Sequence, residues 1–512
     1  MFRLRFPCER LFSLVVFSMS LLSCTATEAQ RIEIPRRHEK PPGSELSPAE
    51  AVAKMTVPDG FTVEIVAAEP DIVHPVAMAI DERGRFWITE SLEYPRKSPG
   101  PGRDRVKVLE DTTGDGKADR VTVFLDGLNI PGGIAVGHGG VWIVNSADIL
   151  FVPDADRDAV PDGPPQIVVT GLGRRDTHEP PNSLTWGPDG WLYGLNGDFN
   201  PADVRYPKSN PNFKHDHPGF QFDAAMFRIH PKTREFHVFA RGTSNPRGIA
   251  FNNEGEAFIS ASGIDHLWHI TKTGYYRRQV GAYPPFTWPI DSIVDHKHQP
   301  AAYCGIHYFD SDAYPENYRR KLYRGNIDRG CVSADRIQKN GSTYTGFGEP
   351  DLLTANDAWF TPVVQKTGPD GSLYILDLYD RDHSNQDANE DLKGIVRAKG
   401  HLYRVRYKDT PRKWNFDFGK SSDDELIELL RAPNDYARWT ATRLLQERRS
   451  EPVTEKLQKL VFDSKQTPQF RLHALWIAAA STVLDDVFLD RVMQVGAREP
   501  GGSSCLVPKT PG

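Results

Sequence analysis

A two-strand hairpin that recurs at long, near-regular intervals is the feature that most restricts what this chain can become. A short apolar strand, a turn rich in Gly, Asp, Pro or Asn, and a second apolar or aromatic strand appear as VAMAIDERGRFWITE (76–90), GIAVGHGGVWIVNS (133–146), SLTWGPDGWLYGLNG (183–197), GIAFNNEGEAFISASG (248–263) and VVQKTGPDGSLYILD (363–377). A looser sixth copy, CGIHYFDSDAYPENYRRKLYRGNI, spans 304–327. Copies begin roughly 50 to 65 residues apart, the spacing of an architecture assembled from one repeated supersecondary unit. Within each copy the side chains alternate between two faces across a tight turn, which marks an antiparallel hairpin. A lone hairpin cannot bury both faces. Four-stranded sheets stacked radially about an axis can, and they leave only short protected edges. A β-sandwich would instead show turn signals every 8 to 12 residues or so, with no period of about this length. The reading is therefore mainly β, a six-bladed β-propeller over 57–410. The two ends of such a ring share a blade, which pairs FTVEIVAAEP (61–70) with HLYRVRY (401–407).

Beyond a linker at 411–420 the period turns helical. Leu426, Leu429 and Leu430 belong to a first helix, and Ala437, Ala441, Leu444 and Leu445 to a second, with a turn at Pro433-Asn434-Asp435 between them. A looser pair follows from Val453 to Val495, so 421–495 reads as a short α-helical HEAT-like repeat region. The tail at 496–512 has no helical period and reads as a truncated or frame-altered end.

At the other terminus, Arg3, Arg5 and Arg10 precede an apolar run from Leu11 to Leu22 that is too short to span a bilayer as a helix. This is the pattern of a signal peptide over 1–24. Leu21-Leu22-Ser23-Cys24 follows the lipoprotein form, with Cys24 as the lipidated residue; cleavage after Ala29 is the rival reading. A flexible linker over 25–56 would follow. The expectation is an exported protein, periplasmic or at the cell surface, attached to the membrane by lipid alone. Lys and Arg total 62 against 68 for Asp and Glu, a net charge of −6, and no basic run forms a nucleic-acid footprint. That excludes nucleic acid as the main partner. Of the five cysteines, Cys8 and Cys24 belong to the leader, while Cys304 and Cys331 either pair in an oxidising compartment or stay buried thiols. No C-x-x-C occurs, so covalent c-type haem, zinc ribbons and thioredoxin-type redox are not expected from this chain.

Two acidic loops have the spacing of compact calcium sites, where a hard cation collects six to eight or so oxygens. DTTGDGKAD places Asp111, Thr113, Asp115 and Asp119 at relative positions 1, 3, 5 and 9, and DADRDAVPD places Asp154, Asp156, Asp158 and Asp162 likewise. Gly116 holds the sharp-turn position in the first loop and Ala159 in the second, and neither loop carries a Glu at position 12. Solvated acidic turns are the alternative.

Loops between blades converge at the ends of the axis, so polar residues flanking the repeat strands are the natural site. RRDTHEPPNSLTWGPDG (174–190) puts Asp176 and His178 just upstream of a strand, a base with a carboxylate to orient it. RGTSNPRGIAF (241–251) offers Asn245 and Arg247 to hold polar groups, and LYDRDHSNQDAN (378–389) offers Asp380, Asp382 and His383 after the last repeat strand.

The WITE at 87–90, His178 followed by NSLTWGPDG, GTSNPRGIAF, DRG at 328–330 and GPDGSLYILDLYD together resemble the quinoprotein glucose and sorbosone dehydrogenases. The resemblance runs from Val57 to Lys408. It is closer still to a family of large exported membrane-bound dehydrogenases that join such a propeller to HEAT repeats and often to a cytochrome c module. That resemblance implies oxidation of a sugar or alcohol by pyrroloquinoline quinone with calcium, His178 as base, Asp176 as its partner, Asn245 and Arg329 as cofactor contacts, Glu90 within a matched segment, and a cytochrome c as electron acceptor. Two departures stand out: Ser244 precedes Asn245-Pro246 where that group has Arg, and Trp359-Phe360-Thr361 occupies the place of later quinone-gripping arginines. Other activities compatible with the residues are glycan or protein binding without catalysis and calcium-dependent lactone or ester hydrolysis.

Overall fold

The computed structural model describes residues 43–94, 102–279, 281, 283–296, 302–381, 397–413 and 415–496. The chain divides into Met1–Ile34, which lies outside the described residues, and Pro35–Gly512, which holds everything below. The signal peptide, Cys24, Asp382, His383 and the tail beyond 496 likewise lie outside the described residues.

Each repeated hairpin forms the two inner strands of a blade. Blade 1 orders Pro75–Ile80, Phe86–Glu90, Asp104–Glu110 and Arg120–Leu128 outward from the axis, and blade 2 orders Gly133–Val136, Gly140–Asn145, Asp148–Pro153 and Gln166–Thr170. Blade 3 uses Asn182–Trp186, Leu192–Asn196, Ala225–Ile229 and Phe236–Arg241; its second and third strands are separated by an insertion carrying a small extra hairpin. In blade 4 three strands are described, Asn245–Phe251, Ala257–Ser262 and Leu267–Ile270. Blade 5, Tyr303–Phe309, Lys321–Asn326, Cys331–Asn340 and Thr343–Thr354, confirms the looser copy. Blade 6 takes Pro362–Thr367, Leu373–Asp377 and His401–Tyr407 and is completed by Phe61–Ala68, with Phe61 opposite Tyr407 and Ala68 opposite His401. The fold is thus a six-bladed β-propeller closed by its first strand, and closure removes the exposed edges of an open sheet.

Buried side chains lie between neighbouring blades, as this architecture requires. Trp142, Phe227 and Phe236 join blades 2 and 3, and Trp87 with Ile143 joins blades 1 and 2. Inner strands approach closely around a narrow channel. Gly248 has φ +107°, and a Cβ there would lie 2.5 Å from the Ile306 backbone nitrogen, so that position tolerates only glycine.

The segment expected to be a flexible linker contains an ordered helix, α1 (Pro48–Lys54). Ser47 and Glu50 form a capping box at its start, and Thr56 bridges to Thr354 of blade 5. After the propeller come α2 (Asp423–Leu429), α3 (Asp435–Arg448), α4 (Glu451–Val461), α5 (Pro468–Ser481) and α6 (Asp486–Gly496), so the stretch read as a second pair holds three helices. Ser422, Asn434 and Thr467 cap α2, α3 and α5 with side-chain acceptors. Among the described residues no helix is long and apolar enough to cross a membrane.

Helix α3 is the link between the two parts. Eleven of its fourteen residues are buried, because one side faces the helical core and the other closes an end of the propeller channel. Leu444 and Leu445 pack with Leu457 and Phe470 of the neighbouring helices. Opposite them, the Tyr436 hydroxyl donates to the Asp81 carbonyl at 2.5 Å, Gln446 donates to the Pro188 carbonyl at 2.8 Å, and Arg438 pairs with Asp310 at 3.0 Å. Blades 1, 3 and 5 therefore share one plug.

Candidate functional site

The inner strands all run the same way along the axis, so their first residues ring one mouth while α3 covers the other. Val76, Gly132, Asn245, Cys304 and Val363 stand at or beside those first positions and, with the segments at 91–94 and 176–180, enclose a cavity of about 220 Å³. Asp176, His178, Asn245 and Arg247 line it together, although they come from two different blade entries.

The loop before blade 3 orients its histidine locally. Asp176 Oδ1 accepts the His178 backbone N–H at 2.8 Å and lies 3.1 Å from His178 Nδ1. Asn200 clamps the turn, its side-chain amide donating at 2.7 Å to the carbonyls of both Asp176 and Glu179. The hydrogen bond with His178, against a smaller opposing effect of burial, holds the Asp176 carboxyl below its ordinary range. His178 Nε2 is buried and has no hydrogen-bond partner among the described residues. One ring nitrogen is thus tied to a carboxylate while the other is left for a substrate, the arrangement a general base needs.

Around it stand groups that donate rather than accept charge. The Tyr94 ring meets His178 edge-on with centroids 5.8 Å apart. Burial raises the Tyr94 phenol above its ordinary range, only partly offset by the Arg247 guanidinium. The Cys304 thiol is raised by burial in the same way, again with Arg247 opposing. Both stay protonated at neutral pH. Arg247 also donates to the Val76 carbonyl at 3.3 Å, which ties its side chain across the mouth. Glu179, raised by burial, accepts the Asp198 N–H at 2.9 Å.

The remaining candidates have other positions. Asp380 is buried behind the cavity wall, where its Oδ2 lies 3.2 Å from His74 Nε2, and His74 Nδ1 lies 2.6 Å from the Ser91 carbonyl oxygen. It fastens blade 6 to blade 1 and positions the segment that carries Tyr94. Glu90 is committed to a buried ion-pair group, 2.5 Å from Arg105 Nε and 2.9 Å from Lys107 Nζ, and accepts the Val73 N–H. Neither Glu90 nor Arg329 lines the cavity. Arg329 instead sits in the turn after the second strand of blade 5, its N–H 3.3 Å from Asn326 Oδ1. Cys304 and Cys331 are buried thiols and do not pair with each other.

The two acidic loops differ. In the first, Asp111 accepts the N–H groups of Gly114 and Gly116 at 2.7 and 2.8 Å, and Asp119 accepts from Thr112 and Thr113, so these carboxylates cap their own turn. Asp115 and Thr113 are exposed there. In the second, Asp154, Asp156 and Asp158 converge, with one oxygen of each within 4.8 Å of the others. Asp154 is 3% exposed and its Oδ1 has no partner among the described residues, while Asp162 accepts the Ala155 N–H at 2.6 Å. The second loop therefore has the donor set and the unmet buried oxygen that a hard cation would satisfy; the first does not.

Sequence reasoning missed Tyr94, Tyr303, Cys304 and Glu179 as cavity residues. For Tyr94 the available signal was the loop after the second strand of copy one, since second strands end at the same mouth; Glu179 instead precedes the first strand of blade 3, and Tyr303 and Cys304 open that of blade 5.

Over residues 47–409 the chain matches the family model described as a domain of unknown function, DUF7133. No curated protein matches the sequence. Among solved structures, the chain is similar to an oxidoreductase (glucose dehydrogenase) of Thermus thermophilus, at 18% identity and TM-score 0.46, covering 68% of this chain and 100% of that one. It is also similar to the PQQ domain of pyranose dehydrogenase from Coprinopsis cinerea, at 13% and 0.45, covering 73% and 99%. A third is the PQQ-bound aldose sugar dehydrogenase of Streptomyces coelicolor, at 15% and 0.42, covering 69% and 100%.

Proposed function

The chain belongs to the DUF7133 family, and from the geometry of its site we propose an exported oxidoreductase-like propeller that deprotonates a hydroxyl of a sugar- or alcohol-sized substrate. The observation that supports it is the His178–Asp176 pair, with Nδ1 held at 3.1 Å and Nε2 unpartnered in the cavity. The hydroxyl proton goes to Nε2, and the Asp176 carboxylate stabilises the imidazolium that forms. Protonated Tyr94 and the Arg247 guanidinium hold the oxygen that gains negative charge, in a cavity whose low polarity strengthens both contacts.

A pyrroloquinoline quinone, which the sequence resemblance implies as hydride acceptor, does not fit the described cavity. Its three carboxylates would meet Arg247 as the one cation among the described lining residues, beside the anions Asp176 and Glu179. Burying unpaired carboxylates is strongly unfavourable. No step is routed through it: the His178–Asp176 pair accounts for the proton alone, and oxidation requires an external two-electron acceptor, for which the dye of the assay below stands in. That same shortage of cations favours, as a second reading, hydrolysis of a sugar lactone or ester, because a His–Asp pair can activate water without any cofactor. The acidic loop at 154–158 would hold calcium for stability in either case.

The test runs the purified chain against sugars and alcohols with an electron-accepting dye, with and without the quinone, and against sugar lactones in a proton-release assay. His178→Asn should lower the rate by about 10²–10⁴-fold while leaving substrate binding by calorimetry intact. Turnover unchanged in that variant overturns the reading; lactone hydrolysis without dye reduction selects the second.

A further inference from the structure

We propose that His266, His296 and Asp335 form a binding site for a divalent first-row transition cation between blades 4 and 5, separate from both the cavity of His178 and the acidic loops. His266 immediately precedes the third strand of blade 4, Asp335 lies within the third strand of blade 5, and His296 comes from the segment that joins the two blades. One ligand atom of each lies within 4.8 Å of the other two. The His266 Nε2 to Asp335 Oδ2 distance is 3.1 Å, and so is that from His296 Nε2 to Asp335 Oδ1. Donors held about 2.0–2.2 Å from a shared ion at tetrahedral or octahedral angles stand about 3.0–3.4 Å apart, so both edges already have the span of a coordination polyhedron.

The scaffold holds these donors in place without an ion. The segment carrying His296 is pinned on both sides: the Ile293 N–H donates to the Leu267 carbonyl at 3.2 Å, and the Ile293 carbonyl accepts from Gly346 at 2.7 Å. Ser292 Oγ donates to Asp265 Oδ2 at 2.7 Å, which ties that segment to the turn bearing His266. The two imidazoles meet at 66° with centroids 5.0 Å apart, and the Tyr303 ring packs on His266 at 4.8 Å. Arg324, fully buried, pairs with Asp335 and lies over Tyr303 at 4.9 Å, so it orients the carboxylate from behind.

Donor chemistry selects the class of ion. Two imidazole nitrogens and a single carboxylate already shared with Arg324 offer too few oxygens for calcium or magnesium, whereas they suit zinc, iron(II), cobalt(II) or manganese(II) with positions left open. His266 and Asp335 are almost wholly buried and the His296 side chain is 16% exposed.

The experiment uses the full chain, stripped with a chelator and titrated with cobalt(II), reading visible d–d absorption and stoichiometry. One tightly bound cobalt per chain is expected. His296→Ala, on a part-exposed segment, should weaken binding at least ~10-fold and alter the bands, with circular dichroism unchanged. His178→Asn and Asp156→Asn should titrate like the parent chain, which separates this site from the cavity and from the acidic loop. Absence of stoichiometric cobalt uptake by the parent chain, or unaltered affinity and bands in His296→Ala, would show a carboxylate that merely accepts hydrogen bonds from two histidines and an arginine, and would overturn the proposal.

Discussion

Replacing Arg443 by Met should loosen the docking of the helices on the propeller by about 3–5 kcal/mol, the cost of breaking a buried ion pair from one side. Four side chains form a closed ring of alternating charge across that junction. Arg443 of α3 contacts Glu82 of blade 1 at 2.7 Å and Glu447 of its own helix at 2.5 Å, and Arg157 of the second acidic loop contacts the same two carboxylates at 2.7 and 3.1 Å. Glu82 is 1% exposed and Arg443 8%. Methionine keeps most of the side-chain volume but removes two of the four contacts, leaving two buried carboxylates for Arg157 alone. Burial pushes the Glu82 and Glu447 carboxyls up, and the facing arginines more than reverse it, so both lie below their ordinary values. A depressed folded value means the stabilisation is present at neutral pH and is lost as pH falls through the folded values. In Arg443→Met with Glu82→Gln the remaining Arg157–Glu447 pair is balanced again. The double variant should therefore cost less than the sum of the two singles, by up to about 3 kcal/mol. Hydrogen exchange of the α3 amides reads this directly, with protection falling roughly 10²–10⁴-fold in the single variant. A single-variant cost below about 1 kcal/mol, or strict additivity, would refute the reasoning, since either outcome describes an exposed, uncoupled ring.

Two further outcomes follow from groups elsewhere. Burial opposes the charge on His401, but Asp377 and Glu69 outweigh it and raise the imidazole to about 9; a raised histidine stabilises below its unfolded value near 6.5 and loses that contribution as pH climbs through 9, so denaturant midpoints should fall by the equivalent of about 3 kcal/mol over this window, and His401→Gln should flatten the profile. Calcium should raise the calorimetric melting temperature, by the equivalent of about 2.7 kcal/mol at a hundredfold excess over its dissociation constant. Asp156→Asn should abolish that response and Asp115→Asn leave it intact; equal losses in both variants would mean the acidic loops do not differ as their geometry indicates.

Much of the propeller was legible because its information is local. Alternation of side chains and turn chemistry at Asp189-Gly190 or Asp370-Gly371 specify a hairpin within fifteen residues or so, and repetition of that hairpin leaves few ways to bury it. His178 with Asp176 was legible for the same reason, two residues apart on one turn. The α1 helix was not, because its capping box at Ser47 and Glu50 is brief and its packing against the propeller is what sustains seven residues of helix. Glu90 shows the converse: a strand-end carboxylate in a matched segment looks functional until Arg105 and Lys107, on the neighbouring strand, are seen to neutralise it.

By itself, then, the sequence determined the blade count, the closing strand and one histidine paired with a carboxylate on its own turn, since each follows from neighbours in the chain. Tertiary structure alone decided what that histidine faces and what else converges. Tyr94, Arg247 and Cys304 are separated by whole blades and meet only because six inner strands start at one end of one axis. His266, His296 and Asp335 meet because blades 4 and 5 pack face to face and the segment between them returns to their junction. The plug of α3 in the opposite mouth has the same origin: its polar face finds Asp81, Glu82 and Pro188 only once the ring has closed and presents them side by side.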